Sequence, residues 1–323
     1  MRIWRGALLL LAGMASAVYA QTKAPDYPAK FVRFIVPYAP GGSSDVLART
    51  LAQKLGAALG QTFVIDNRPG AGSMVGTDIA AKATPDGYTI ILSDMPHTIN
   101  PAIYAKVPYD PVRDFSPVTV IGVSPMFFFV NPAVKAQSVK EFIALAKAQP
   151  GKLAIASGGT GATTHLMAEL LQSHAGIRLT HVPYKGAGPA LTDVVAGQIP
   201  ATFTSMATAA PFAQGGRLRI LGVTSARRLP AFPDVPTFEE SGVSGLVVEH
   251  WWGVMAPAGV PPAIVEKLHG EIVKAVNAPD VRERFTVLAV EPRTITARQF
   301  RALLESDVER WAKVVRDAGI KIE

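Results

Sequence analysis

Phe31-Val-Arg-Phe-Ile-Val-Pro-Tyr-Ala-Pro-Gly-Gly-Ser-Ser-Asp45 is the stretch that decides the fold, because its pattern returns in Leu153-Ala-Ile-Ala-Ser-Gly-Gly-Thr-Gly-Ala-Thr-Thr-His165. Each begins with a short apolar run that reads as a strand, Phe31–Val36 and Leu153–Ala156, and turns through glycines. Each then opens a helical pattern: Leu47, Leu51, Leu55 and Leu59 after the first, Leu166, Met167, Leu170 and Leu171 after the second. A strand, a glycine turn and a helix start leave unpaired backbone N–H groups and a positive dipole end aimed at one spot. Two such cradles in separate parts of one chain suit a small acidic ligand gripped from both sides.

Short apolar runs alternate with amphipathic helices along most of the chain. Further strands are expected at Phe63–Asp66, Tyr88–Leu92, Val118–Val123, Met126–Val130, Leu179–Val182, Ala201–Phe203, Leu218–Val223 and around Val254–Met255. Such alternation argues for α/β layers with mostly parallel strands. Ser138-x-x-Glu141 and Thr296-x-x-Gln299 fit the capping box, and Pro261-Pro262 precedes an apolar-periodic helix ending near Asn277. A last helix carries its apolar stripe on Phe300, Leu303, Leu304, Val308, Trp311 and Val314. Two extended connections read as crossings between domains: Val118 to Val130, broken by Ser124-Pro125, and Arg227 to Gly245 leading into Glu249–Met255. The expected division is domain I over 21–123 plus 250–323 and domain II over 124–249.

The first twenty residues read as an export signal rather than as fold. Arg2 and Arg5 form a positive start, Ala7 to Ala12 is a short apolar stretch, and Val18-Tyr-Ala20 offers small residues for cleavage after Ala20. That apolar stretch is too short for a membrane span. Removing it lowers the net charge from +7 to +5, since two arginines leave. The remaining Lys and Arg are scattered without a basic run or interleaved aromatics, which argues against nucleic acid as a partner. The chain has no cysteine, and it is long enough to hold a core without disulfides. A soluble periplasmic protein is expected.

Several fragments in order then carry a family resemblance. They are Pro40-Gly-Gly-Ser-Ser-Asp45, Asn67-Arg-Pro-Gly-Ala-Gly72, Pro85-Asp-Gly-Tyr88, Gly158-Gly-Thr-Gly161 with His165, and Val182-Pro-Tyr-Lys-Gly186. Leu221-Gly-Val-Thr-Ser225, Pro233-Asp-Val-Pro-Thr237 and Trp252-Gly-Val-Met-Ala-Pro257 continue the series. Across the mature chain the sequence resembles the periplasmic solute-binding proteins of the tripartite tricarboxylate transporter system, also called the Bug family. The resemblance implies a two-lobed type II periplasmic-binding (Venus flytrap) α/β fold with two hinge crossings. It implies a small organic carboxylate as ligand, held by the two glycine loops through backbone amides, hydroxyls and water. It also implies transient partnership with the permease subunits of such a transporter; a monomer without cofactor or metal is expected.

Each candidate has a plainer competing reading. Gly41, Gly42, Ser43 and Asp45 could be no more than a helix cap; with Pro40 they are expected to face the ligand, Asp45 holding the loop because like charges repel. Gly159, Thr160, Gly161 and Thr164 could be a tight turn; the loop lacks the Walker and dinucleotide spacings, and its threonines add hydroxyl donors. His165 lies one position deeper and could be a satisfied buried histidine. Tyr38, Ser93 and Ser205 follow strand ends, where ligands sit in open α/β sheets. Asn67–Ser73 reads as a structural turn, the Trp251-Trp252 pair as core or hinge packing, and Arg227 with Arg228 as bracing for the connection. The six histidines show no H-E-x-x-H, no serine sits in G-x-S-x-G, and no nucleophilic cysteine exists, so no enzyme is proposed. A periplasmic sensor feeding a signalling receptor is the alternative to a transport role.

Overall fold

The computed structural model describes residues 27–213 and 215–320. The expected signal segment, with its cleavage position, lies outside the described residues.

The first sheet is mixed. It contains β1 (Val32–Val36), β2 (Phe63–Asn67), β3 (Thr89–Asp94), β4 (Phe115–Pro125), β10 (Glu249–Pro257) and the short β11 (Glu291–Pro292), in the order β11-β4-β10-β3-β1-β2. β1 pairs parallel with β2 and β3, whereas β10 runs antiparallel to both β3 and β4. The second sheet contains β5 (Phe127–Val130), β6 (Ala154–Ser157), β7 (Thr180–Pro183), β8 (Ala201–Thr204) and β9 (Arg219–Val223), in the order β7-β6-β8-β5-β9. Helices α1 (Ser43–Leu59), α2 (Met74–Ala81) and α3 (Pro96–Ile103) serve the first sheet. Helices α4 (Val139–Ala148), α5 (Thr163–Ala175), α6 (Ala187–Val195) and α7 (Met206–Ala213) follow strands of the second. The chain then returns with α8 (Pro262–Asn277), α9 (Pro279–Val287) and α10 (Ala297–Asp317) to the first.

The molecule is thus two α/β lobes joined by two crossings. The chain runs straight from β4 through Met126 into β5, and it comes back between β9 and β10. Three consecutive phenylalanines show why β5 is central to its sheet. Phe127 and Phe129 face one layer and Phe128 the other, where it meets Phe142, Phe203 and Phe238. All three are fully buried, as an unbroken apolar run requires when helices cover both faces.

Local signals and structure agree fully at the start of α10 and in part at α4. Thr296 and Gln299 form the reciprocal capping box of α10. At α4 the box is incomplete: Ser138 Oγ accepts from the Glu141 amide, but the Glu141 side chain accepts from Gln137 instead of Ser138. The stripe of α10 is also rotated from expectation. Asp307 is buried within it and accepts the Trp251 indole N–H at 2.8 Å, while Val308 is only half-buried.

Candidate ligand-binding site

Both glycine loops open helices that point into the cleft between the lobes. The first intrahelical bond of α1 runs from Val46 N–H to Gly42 O, which leaves the Ser44 and Asp45 amides without an intrahelical acceptor. In α5 the corresponding bonds come from His165 and Leu166 to Ala162 O, leaving Thr163 and Thr164 amides free of the helix. The start of α6 at Ala187 faces the same space. A cavity of about 40 Å³ lies where these helix starts meet.

Five of the residues lining that cavity carry a buried polar side-chain atom with no hydrogen-bond partner. They are Thr163 Oγ1, Thr204 Oγ1, Ser205 Oγ, His250 Nδ1 and Trp252 Nε1. Buried polar groups are satisfied in the great majority of cases, so five orphans around one space mark a place built for a polar guest.

The floor of the cavity is acidic. Asp94 ends β3 and is only 5% exposed. It accepts from Tyr38 Oη at 2.9 Å and from Ser44 Oγ at 3.2 Å, and His250 Nε2 stands 3.6 Å away. Burial and the adjacent Asp94 push the Tyr38 hydroxyl well above its ordinary range, so it keeps its proton and acts as a donor. None of the described residues that line the cavity is lysine or arginine.

Many glycine-loop amides are spent on the loops themselves. Gly41 N–H donates to Asp45 Oδ2, Gly158 N–H to Thr164 Oγ1, Gly159 N–H to Ser157 Oγ and Gly161 N–H to His165 Nδ1. Ser43 N–H reaches across the cleft to Thr208 Oγ1 at 2.9 Å. Asp45 therefore braces its loop, also taking bonds from Arg49 and Asn67. Burial pushes its carboxyl up, but these bonds outweigh that and hold it below the usual range.

Of the residues expected from sequence, Tyr38, Gly42, Ser43, Thr164 and Ser205 line this cavity. Gly159 and Thr160 line a neighbouring cleft cavity of about 230 Å³, together with Gly70–Ser73, Tyr184 and Lys185. Four residues of the Asn67–Ser73 turn therefore border the cleft. Pro40, Gly41, Asp45, Ser93, Gly161 and His165 line neither. His165 stacks on His181, with ring centroids 3.8 Å apart, and serves as an acceptor for the loop.

Ser93 was expected on the assumption that its strand ends at Leu92. The strand runs on to Asp94, and strand alternation places neighbours on opposite faces. Asp94 therefore takes the cavity face. Phe203, one residue before Thr204 on β8, packs with Phe128 and Phe238 in the core. The tryptophan pair divides: Trp251 is core, whereas Trp252 lines the cavity. Arg228 braces the returning connection through Glu240 and Pro233 O. Among the described residues no cluster of His, Cys, Asp or Glu could hold a metal ion.

The lobes touch directly beside the cavity. Ala39 N–H donates to Lys185 O at 3.0 Å, and Tyr104 Oη donates to Thr160 O at 2.7 Å. A Cβ on Gly188 would fall 2.9 Å from Gly41 C and Pro40 O of the other lobe. A Cβ on Gly161, whose φ is +81°, would fall 2.8 Å from the Tyr104 ring. Glycine at these positions permits approach of the opposite lobe, where the sequence reading of Gly161 looked for approach of a ligand.

Known proteins share this sequence and architecture. The family described as "Tripartite tricarboxylate transporter family receptor" matches residues 47–320. Protein BugT of Bordetella pertussis (strain Tohama I) is 38% identical over 98% of this chain and 97% of its own length. The structure of periplasmic binding protein BugD superposes with a TM-score of 0.88 at 32% identity, covering 92% of this chain and all of that one. The structure described as R. palustris Rpa4515 with adipate gives 0.88 at 34% identity, covering 91% and 99%. With fold, cleft and sequence in accord over nearly the whole length, the chain belongs to the tripartite tricarboxylate transporter receptor family.

Proposed function

We propose that this protein is a periplasmic receptor that captures a small organic carboxylate between its lobes and delivers it to the permease of a tripartite tricarboxylate transporter. The observation that carries this reading is the set of five orphaned polar atoms around a cavity fed by helix N-termini. Amide and hydroxyl donors in a water-poor cleft bind a carboxylate more strongly than they would in bulk water. The adipate held by a relative of the same architecture supports the ligand class.

In this reading the protein is exported by its first twenty residues, acts as a monomer and performs no chemistry on its ligand. Residues 21–123 with 250–323 move as one lobe and 124–249 as the other. The contacts come from Tyr38, Gly42, Ser43, Thr164 and Ser205, joined by Ser44, Asp94, Thr163, Thr204, His250 and Trp252. Closure is driven by the ligand, because only the closed form offers donors from both lobes at once.

The test is a thermal-shift screen of ligand-stripped protein against small carboxylates, with mass spectrometry of whatever the unstripped protein retains. A ligand at 100 times its dissociation constant should add about 2.7 kcal/mol of stability. If no carboxylate stabilises the protein and the retained molecule is not one, the reading is wrong.

A further inference from the structure

The cavity has two chemically different poles. The second lobe contributes donors: first-turn amides of α5 and the orphaned hydroxyls of Thr163, Thr204 and Ser205. The first lobe adds, beside the α1 amides and the Trp252 indole N–H, the buried Asp94 carboxylate and His250. A carboxylate ligand entering here brings a second negative charge close to Asp94, with no lysine or arginine among the described lining residues to offset it. Like charges in a buried site repel strongly.

The geometry at His250 indicates how the balance is restored. Its Nε2 stands 3.6 Å from Asp94 Oδ2, too far for a hydrogen bond, but the nearby carboxylate charge favours the neutral tautomer with its proton on that nitrogen, which leaves Nδ1 an acceptor. Nδ1 is buried and has no partner. Asp94 Oδ1 receives a hydrogen bond from Tyr38, and its Oδ2 one from Ser44. A carboxylate has about four acceptor sites, so capacity remains. Two neighbouring acceptors, one of them charged, call for a cationic group with several protons. A primary ammonium, with three N–H donors, meets that need; a single hydroxyl does not neutralise the charge.

We propose that Asp94 and His250 select carboxylates that bear a primary ammonium group, so that the ligand is an amino-acid-like zwitterion. The inference rests on the carboxylate-receptor reading and narrows it. The ligand lies with its carboxylate toward α5 and its ammonium toward β3. Asp94 here sets specificity.

Isothermal titration calorimetry on ligand-stripped protein tests this with matched sets that differ in one substituent: succinate, malate and aspartate; propionate, lactate and alanine. In at least one set the amino member should bind about tenfold or more tighter than both others. Asp94→Asn should compress that ratio to about threefold or less. His250→Phe, which keeps Asp94, should also lower it about threefold and guards against a misfolded first variant. The proposal is overturned if unsubstituted acids bind as tightly as their amino partners, or if both variants keep the ratio. It is also overturned if plain carboxylates bind with uptake of a proton, since a group of the protein would then supply the charge. Any of these three outcomes leaves the carboxylate-receptor reading standing. If none of the six probes binds and the molecule retained by the unstripped protein is no carboxylate, that reading fails as well.

Discussion

Tyr104, just beyond α3 in the first lobe, donates its hydroxyl to the carbonyl of Thr160 in the second lobe at 2.7 Å. The bond ties one lobe to the glycine loop of the other and exists only while the lobes are together. Tyr104→Phe keeps the ring and removes this bond alone. Ligand affinity should fall about five- to tenfold, corresponding to ~1 kcal/mol for one hydrogen bond. Calorimetry with the identified ligand gives the number, and small-angle scattering should show a more open liganded form. Unchanged affinity would mean that the bond does not hold the lobes together.

Gly188 gives a cleaner test of closure. It sits in the first turn of α6 with an ordinary helical backbone, so alanine there is not strained, and alanine favours a helix by roughly 0.5–1 kcal/mol over glycine. Its Cβ would nevertheless meet the Pro40–Gly41 backbone at 2.9 Å in the closed form. Gly188→Ala should therefore leave the melting temperature of the ligand-free protein equal or slightly higher while weakening binding about tenfold or more. A variant that melted early and bound normally would contradict the closure role.

Trp252 separates ligand contact from packing. Its indole N–H is buried without a partner at the cavity wall. Trp252→Phe removes that donor and keeps most of the apolar bulk. The ligand-free protein should change little in stability, because an unsatisfied buried donor costs about 1–3 kcal/mol and its loss offsets lost packing. Affinity should drop about tenfold, as for a hydrogen bond to a charged group.

Two histidines make stability pH-dependent. His97 is held down to about 4 by burial, which outweighs its bond to Pro111 O, and His181 to about 4 by burial and the stacked His165. Both folded values lie below the unfolded value near 6.5. The unfolded chain therefore binds more protons between these limits, and stability present above pH 6.5 is lost as pH falls toward 4. Each residue contributes a slope of at most about 1.4 kcal/mol per pH unit. Urea unfolding from pH 7 to pH 4.5 should show the decline, and His97→Gln should flatten it. An equal slope in that variant would assign the effect elsewhere.

The strand-turn-helix units at Phe31–Asp45 and Leu153–His165 were legible in the sequence because strand, glycine turn and helix period are local properties. The same holds for the capping box at Thr296 and Gln299, and for the alternation that pointed to α/β layers; the expected mostly parallel pairing did not follow, since β10 runs antiparallel to β3 and β4, and β5 to β8 and β9. Ser93 against Asp94 marks where local reading stops. A strand longer by two residues exchanges no residue type, yet it decides which neighbour meets the cavity, since side chains alternate with a period of two.

By itself, the sequence determined the layered fold, the two crossings and the positions where helix N-termini open toward a cleft. Only the tertiary structure brought Asp94, at the end of β3, to His250 and Trp252, far along the chain on β10. It also showed that several loop amides satisfy their own loops and that Gly161 and Gly188 face the opposite lobe. The reason is physical: chain periodicity encodes which face of an element is apolar. What a buried polar atom meets across a cleft depends on how two separately folded sheets dock.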